Sequence, residues 1–227
     1  KHQKRMQQFA IIVAGGSGNR MGSNVPKQFL PLDSKPILMH TIDAFVKYSE
    51  AIQITLVLPE HQLTYWESLC KKYDYKQQHK IVFGGDTRFQ SVKNGLASIK
   101  SIEGVVAIHD GVRPLISNEV ITNAFEAAEK FGSGIAAVPL KDSIRRIEGS
   151  QNMAVDRSQY WSIQTPQTFN FASISKAYET NFSPEFTDDA TVMEKDGNNI
   201  HLVQGDYKNI KITTKEDLVI AAAFLHE

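Results

Sequence analysis

Residues 9–32 read FAIIVAGGSGNRMGSNVPKQFLPL, an apolar run followed by a glycine-rich turn and two cations, Arg20 and Lys27. The apolar run FAIIVA reads as a buried strand, so the turn falls at a strand's C-terminal end. Ala14, Gly15, Gly16, Ser17 and Gly18 carry little or no side chain, and their backbone N–H groups are able to surround phosphate oxygens at close range. Arg20 and Lys27 supply positive charge beside them. No GKS or GKT follows, which excludes the lysine-bearing ATPase loop, and the GxGxxxG spacing from Gly16 to Gly22 only loosely matches a dinucleotide fingerprint. An ordinary structural turn is the competing reading of this segment alone.

Working outward, apolar runs alternate with helical patterns: FAIIVA, ILMHTIDAFV, IQITLVL, WESLCKKY, KIVFG, SVKNGLASI and VVAIHD. Strands apolar on both faces belong in a largely parallel sheet covered by helices. The expected architecture is therefore α/β, a three-layer sandwich around a doubly wound, Rossmann-like sheet, with the site in loops at strand C-termini. Pro36 suits a helix's first position, with Ile37, Leu38, Ile42, Phe45 and Val46 at helical spacing after it. Thr213 and Glu216 read as a capping box before LVIAAAFL, a terminal helix expected to pack on the sheet. Between residues 139 and 164 the rhythm breaks into polar–apolar alternation around Gly149-Ser150, which predicts a protruding hairpin arm that packs on another subunit. One domain over 1–227 is expected, with no internal repeat.

Twenty-five basic and twenty-five acidic residues give a formal net charge of zero, so the broad attraction used by nucleic-acid and anionic-membrane binders is lacking. Any anion site has to be local. The single cysteine, Cys70, rules out a disulfide framework and a cysteine-rich metal site, and a reducing cytoplasm fits. No apolar run approaches the ~20 residues that span a bilayer. The opening KHQKRMQQ does not read as a targeting segment, and Met6 is a candidate start.

Candidate chemistry recurs where strands end. Gly84-Gly85-Asp86-Thr87-Arg88, with Ser91 opening the next helix, offers close backbone approach and a hydroxyl suited to a base edge; an ordinary strand-to-helix turn is the alternative. His109-Asp110-Gly111-Val112-Arg113 places a carboxylate at a strand end with an arginine three residues on, suited to ribose, metal or a phosphorylated substrate, or else an Asp–Arg pair that only bridges the loop. His109 itself reads as a hydrogen-bonded structural residue. Asp142 and Ser143 lie at the base of the arm, Asp156 and Arg157 on its return, and Gln164-Thr165-Pro166-Gln167 beyond it. Thr187-Asp188-Asp189 opens a helix and is either a pocket element or a cap complementing the helix dipole. Lys211 interrupts a strand-like run, as a pocket wall or as an edge lysine facing water.

Taken in order, AGGSGNRMGSNVPKQFL, GGDTRFQSV, HDGVRPL, VPLKDSIRR, VDRSQYWSIQTPQTF, TDDATVM and GDYKNIKITTKEDL resemble the 2-C-methyl-D-erythritol 4-phosphate cytidylyltransferase family over nearly the whole chain. The resemblance implies transfer of CMP from CTP to a polyol phosphate with release of pyrophosphate. Arg20 and Lys27 would stabilise the α-phosphate as it becomes five-coordinate, and Lys211 and Arg157 would hold the acceptor's phosphate. Gly85, Asp86 and Ser91 would lie on the nucleotide, Asp110 on ribose or acceptor, and Arg113, Ser143, Thr165 and Thr187 around the acceptor. It further implies a homodimer through the arm and Mg²⁺ bound mainly through CTP phosphates, with no protein metal ligand. Ser143 stands where the family commonly has threonine, and HDGVR where it commonly has HDAAR; the hydroxyl, the Asp and the Arg are all kept. Because the nucleophile is an ionised phosphate oxygen, no strong general base is required, and the chemical task is to bring two polyanions into line.

Three other readings stand beside this one. A ribitol 5-phosphate cytidylyltransferase would use the same chemistry on another polyol. A nicotinamide-dependent reductase requires an acidic residue about 20 positions after the glycines, whereas Glu60 lies far beyond that spacing. A silent nucleotide-binding module leaves the set Arg20, Lys27, Asp110, Arg157 and Lys211 without a common anion to justify it.

Overall fold

The computed structural model describes residues 6–15 and 25–226. Strand β1, Gln8–Val13, alternates Phe9 and Ile11 toward one face with Ala10 and Ile12 toward the other, all buried. A strand apolar on both sides needs cover on both. The chain then forms the tiny pair β2 (Pro31–Leu32) and β3 (Lys35–Pro36), followed by α1 (Ile37–Tyr48), β4 (Gln53–Leu58), α2 (Leu63–Lys72), β5 (Lys80–Phe83), α3 (Arg88–Ala97) and β6 (Val105–Asp110). Next come α4 (Asn118–Phe131), β7 (Ser133–Pro139), the hairpin β8 (Arg145–Glu148) and β9 (Gln151–Ala154), β10 (Trp161–Asn170), α5 (Phe171–Ala177), α6 (Asp189–Lys195), β11 (Leu202–Gln204) and α7 (Lys215–Leu225).

The main sheet has seven strands in the order β11-β7-β10-β6-β1-β4-β5, parallel throughout except for β10, which runs antiparallel to both of its neighbours. Helices α1, α2 and α4 cover one face through Phe45, Trp66 and Phe125; α3, α5 and α6 cover the other through Phe89, Ile174 and Met193. This is the expected three-layer sandwich. After β1 the chain moves outward through β4 and β5, then returns to place β6 on β1's other flank. That reversal is a topological switch point, and it opens a crevice beyond the C-terminal ends of β1 and β6.

Local readings needed adjustment at four places. Helix α3 begins at Arg88, capped by the Thr87 hydroxyl accepting from Gln90 N–H at 3.0 Å, so Ser91 lies within the helix instead of opening it. The capping box of α7 is Thr214 with Asp217, not Thr213 with Glu216: the Asp217 carboxylate accepts from the Thr213 and Thr214 N–H groups and the Thr213 hydroxyl, a fuller set than Glu216 has within reach. Helix α7 packs on Leu32, Ile37, Val112 and Ile212 in a third small core, away from the faces of the main sheet. The run around Lys211 forms no strand; its backbone is tied instead by Ile212 N–H to Val112 O at 2.9 Å. The hairpin around Gly149-Ser150 is present as read, with Ile147 68% exposed on it.

At Gly134 the backbones of α4 and β7 approach each other closely. A Cβ built there would lie 2.3 Å from the Ala124 carbonyl oxygen, a backbone atom that cannot swing aside. Gly134→Ala should therefore destabilise the fold by about 1–3 kcal/mol through overpacking. A denaturant midpoint equal to that of the parent would contradict this packing.

Candidate active site

The crevice at the switch point holds a cavity of about 300 Å³ lined by Ala14, Gly15, Lys27, Gly85, Asp86, Ser91, Asp110 and Lys211. Each wall comes from a segment that follows a strand. Ala14 is fixed by its N–H donating to Val57 O at 2.9 Å, and Gln28, fully buried, donates from Nε2 to Ala14 O at 2.9 Å and to Gln62 Oε1 at 2.7 Å. Gln28 thus ties the Lys27–Phe29 3-10 helix to the end of β1 and sets Lys27 on the cavity wall. Gly16, Ser17, Gly18 and Arg20 lie outside the described residues. On the opposite wall Ser91 Oγ accepts from Gly85 N–H at 3.2 Å, and a Cβ on Gly84 would sit 2.7 Å from the same oxygen. The hydroxyl helps hold the glycine turn in shape.

Asp110 stands at the centre. Its side chain is about nine-tenths buried, and three cations surround it: Lys211 Nζ at 3.0 Å and Arg113 Nε at 3.4 Å on Oδ2, and Arg88 Nε at 3.7 Å on Oδ1. Burial alone would raise its pKa; Arg88, Lys211 and Arg113 together outweigh that and hold the carboxyl well below the usual carboxylate range. Arg88 also forks onto Asp189, with Nη1 and Nη2 donating at 2.9 and 2.6 Å, and Tyr178 OH donates to Asp189 Oδ1 at 2.6 Å. Among the described lining residues the cations Lys27, Arg88 and Lys211 outnumber the carboxylates Asp86 and Asp110, which leaves the cavity positive in a chain of zero net charge. That suits a polyanion.

Thr165 sits behind this centre, 5% exposed, where it supports Asp110 from the far side. Its Oγ1 accepts from Asp110 N–H at 3.0 Å and lies 3.0 Å from His109 Nδ1, while His109 Nε2 lies 3.0 Å from Arg113 O. A carbonyl only accepts, so Nε2 carries the proton and Nδ1 accepts from the Thr165 hydroxyl. Burial pushes the imidazole pKa down to about 4 and keeps the ring neutral. His109 is thus the structural residue its position suggested.

A second cavity adjoins the first and shares Lys211, with Arg113, Lys141, Gln164 and Asn209 on its walls. Asn209 Nδ2 donates to Thr165 O at 2.8 Å and to Gln164 Oε1 at 3.2 Å, and Arg113 Nη1 donates to Asn209 O at 2.7 Å, so the Lys211 loop is strapped to β10 and to the Asp110 turn. Ser143, Arg157 and Thr187 are exposed and line neither cavity; Arg157 donates instead to the Lys141 carbonyl at the base of the arm. Thr187 lies one residue before the Asp188 cap of α6, whose start is clamped by Gln167 Oε1 accepting from the Asp189 and Ala190 N–H groups. Among the described residues no His, Cys, Asp or Glu cluster could hold a metal ion, and no helix is long and apolar enough to cross a membrane. Gln28, Asn209 and the Arg88–Asp189 fork were not picked out as site elements from sequence; a glutamine inside the apolar stretch KQFLPL was the available signal for the first.

The model of the IspD family, 2-C-methyl-D-erythritol 4-phosphate cytidylyltransferase, matches residues 8–227. The chain belongs to that family. Enzymes of this name from Bacteroides thetaiotaomicron and Bacteroides fragilis are 47% and 48% identical over 220 residues, covering 97% of this chain and all of theirs. A crystal structure of 4-diphosphocytidyl-2C-methyl-D-erythritol synthase from Anaerococcus prevotii superposes with a TM-score of 0.83 at 30% identity, covering 98% of this chain and 97% of that one. The cytidylyltransferase resemblance read from seven ordered motifs and the three-layer fold agree with these matches.

The neutral His109 of this cytidylyltransferase gives a pH test. In the unfolded chain the imidazole takes up its proton near pH 6.5 and in the folded chain only near 4, so unfolding gains a proton between those values. Stability is full above about pH 6.5 and is lost as pH falls toward 4, by ~3 kcal/mol from this residue at 1.36 kcal/mol per pKa unit. His109→Gln should lower stability at pH 7 and flatten the decline between pH 7 and 4.5. An unchanged slope in denaturant titrations would assign the decline to other groups.

Proposed function

We propose that the chain transfers the cytidylyl group of CTP to 2-C-methyl-D-erythritol 4-phosphate, forming 4-diphosphocytidyl-2-C-methyl-D-erythritol and pyrophosphate. The observation that carries this reading is the junction of two cavities at one cationic residue, Lys211, beside the buried Asp110. One cavity takes the nucleotide and the other the acceptor, so their phosphates meet at the shared wall. Backbone donors of Gly15, Gly16, Ser17 and Gly18 would cradle the triphosphate, whereas the Ala14 N–H expected to join them is already given to Val57 O and Ala14 serves as wall. Gly85, Asp86 and Ser91 would border the base and ribose, and Arg20 and Lys27 would face the α-phosphate. Arg113 and Lys211 would bind the acceptor, with Thr165 holding Asp110 from behind; Thr187, expected there from the resemblance, lines neither cavity of a single chain.

An anionic oxygen of the acceptor's phosphate monoester attacks the α-phosphorus, the bridging bond to the β-phosphate breaks, and its electron pair leaves with pyrophosphate. The attacking oxygen is already ionised near neutral pH, and no protein base is needed. Preorganised cations lower the barrier by offsetting repulsion between the two anions and by meeting charge that develops at phosphorus. Asp110 is already engaged by three cations and makes a poor metal ligand. Any Mg²⁺ would accordingly be held through the phosphates of CTP and would supply charge neutralisation there, with no ligand required of Asp110.

The exposed apolar side chains Ile147, Met153, Trp161 and Ile163 on and beside the hairpin support a homodimer. In it Ser143 and Arg157 of one copy complete the acceptor side of the other; within a single chain they line neither cavity, although Lys141 and Asp142 beside them line the second. Sedimentation velocity should give twice the mass of one chain, and Ile147→Asp combined with Trp161→Asp should give a folded monomer; a monomeric parent would overturn the dimer.

The reaction is tested by pyrophosphate release from CTP and Mg²⁺ with methylerythritol phosphate and ribitol 5-phosphate as parallel acceptors. Release is expected with the first. Release with ribitol 5-phosphate alone would move the assignment to the other polyol, and none with either would overturn the activity. Lys27→Ala should stay folded and lose turnover a hundredfold or more, as loss of a donor to developing charge costs on the order of 3 kcal/mol in barrier height. Full turnover in that variant would remove Lys27 from the chemistry.

A further inference from the structure

The Arg88 guanidinium bridges two carboxylates from distant parts of the chain. Its terminal nitrogens donate to Asp189 at 2.9 and 2.6 Å, and its Nε stands 3.7 Å from Asp110 Oδ1. The two oxygens of Asp110 are divided between sides: Oδ1 faces Arg88, while Oδ2 faces Lys211 at 3.0 Å and Arg113 at 3.4 Å. Asp189 is 0% exposed and cannot shift easily, because Tyr178 OH donates to Oδ1 and its own N–H donates to Gln167 Oε1 at 3.0 Å.

A forked, charge-assisted pair at 2.6–2.9 Å binds a guanidinium far more firmly than a single contact at 3.7 Å. Asp189 therefore wins the fork of Arg88 and leaves Asp110 only the edge. The charge of Asp110 stays directed at Lys211. With Asp189 neutralised, the fork would turn onto Asp110, rotate its carboxylate and weaken its hold on Lys211; with Arg88 removed as well, Oδ1 would lose the contact that fixes the carboxylate's rotation. We propose that Asp189, acting through Arg88, is a positioning residue that fixes the orientation of Asp110 and so aims Lys211 at the acceptor's phosphate. This rests on the reading of Lys211 as an acceptor contact given under Proposed function.

The experiment uses the full chain and compares Asp189→Asn with the double variant Arg88→Met/Asp189→Leu. The double variant guards against a folding failure, since a buried pair replaced as a whole by apolar side chains leaves no charge stranded. The Michaelis constant for methylerythritol phosphate should rise at least tenfold in both. The dissociation constant for CTP–Mg²⁺, measured calorimetrically without acceptor, should stay within threefold in Asp189→Asn; Arg88 itself lines the nucleotide cavity, so the double variant is read on the acceptor constant alone. A merely structural pair would lower the melting temperature and the active fraction and leave the acceptor constant where it was. Folded variants with an unchanged acceptor constant, or an Asp189→Asn variant with equal losses for CTP and acceptor, would overturn the proposal. Lys211→Met is the control: if it fails to raise the acceptor constant, the reading of Lys211 falls and the positioning role with it; if it raises the constant while the Asp189 variants do not, only the positioning role falls.

Discussion

One buried carboxylate, that of Asp110, organises the site. Placing a charge at the end of β6 out of water would cost several kcal/mol if nothing met it there. Arg88 meets it from the start of α3, Arg113 from the turn that follows β6, and Lys211 from the loop before α7. The dependence runs both ways: three cations gathered in one crevice would repel one another without a carboxylate between them. The arrangement concentrates positive charge at one point of a chain whose overall charge is zero, and electrostatics in a low-dielectric crevice act far more strongly than across a solvated surface.

The sheet supplies the frame. Asp110 ends β6 opposite Val13, the last residue of β1, so the glycine turn and the carboxylate emerge side by side at the switch point. β10 runs antiparallel next to β6 and brings Thr165 behind Asp110, and the Lys211 loop is strapped to the same strand through Asn209 and Gln164. None of these supports touches the cavity through a charged group. They hold backbone and rotamers in place, which is what a site with preorganised cations requires.

The fold was readable because β1, β4 and β6 are apolar on both faces, a pattern that only a covered parallel sheet satisfies. Gly15, Lys27, Gly85, Ser91, Asp110 and Lys211 were readable as well, since each sits in a turn or run where the residue type is out of keeping with its surroundings; they converge on one cavity. The Arg88–Asp189 fork was not, because a pair separated by 101 positions has no local signature. The shift of the α7 cap from Thr213 and Glu216 to Thr214 and Asp217 has a different origin: two adjacent threonines and two adjacent acids give two registers for the same box, and side-chain reach decides between them. Thr165 was placed by resemblance at the acceptor, and its side chain is turned instead toward Asp110 N–H and His109. Local pattern identifies the residues that carry charge, whereas the residues that aim them depend on long-range packing.

In the proposed reaction the charge of Asp110, and not merely its bulk, arranges the cations for transfer. Acceptor-dependent pyrophosphate release by Asp110→Asn, alongside its unfolding curve, tests it most directly. The expected result is a cooperative unfolding transition with turnover reduced a hundredfold or more. A folded Asp110→Asn variant with turnover near that of the parent would contradict the account.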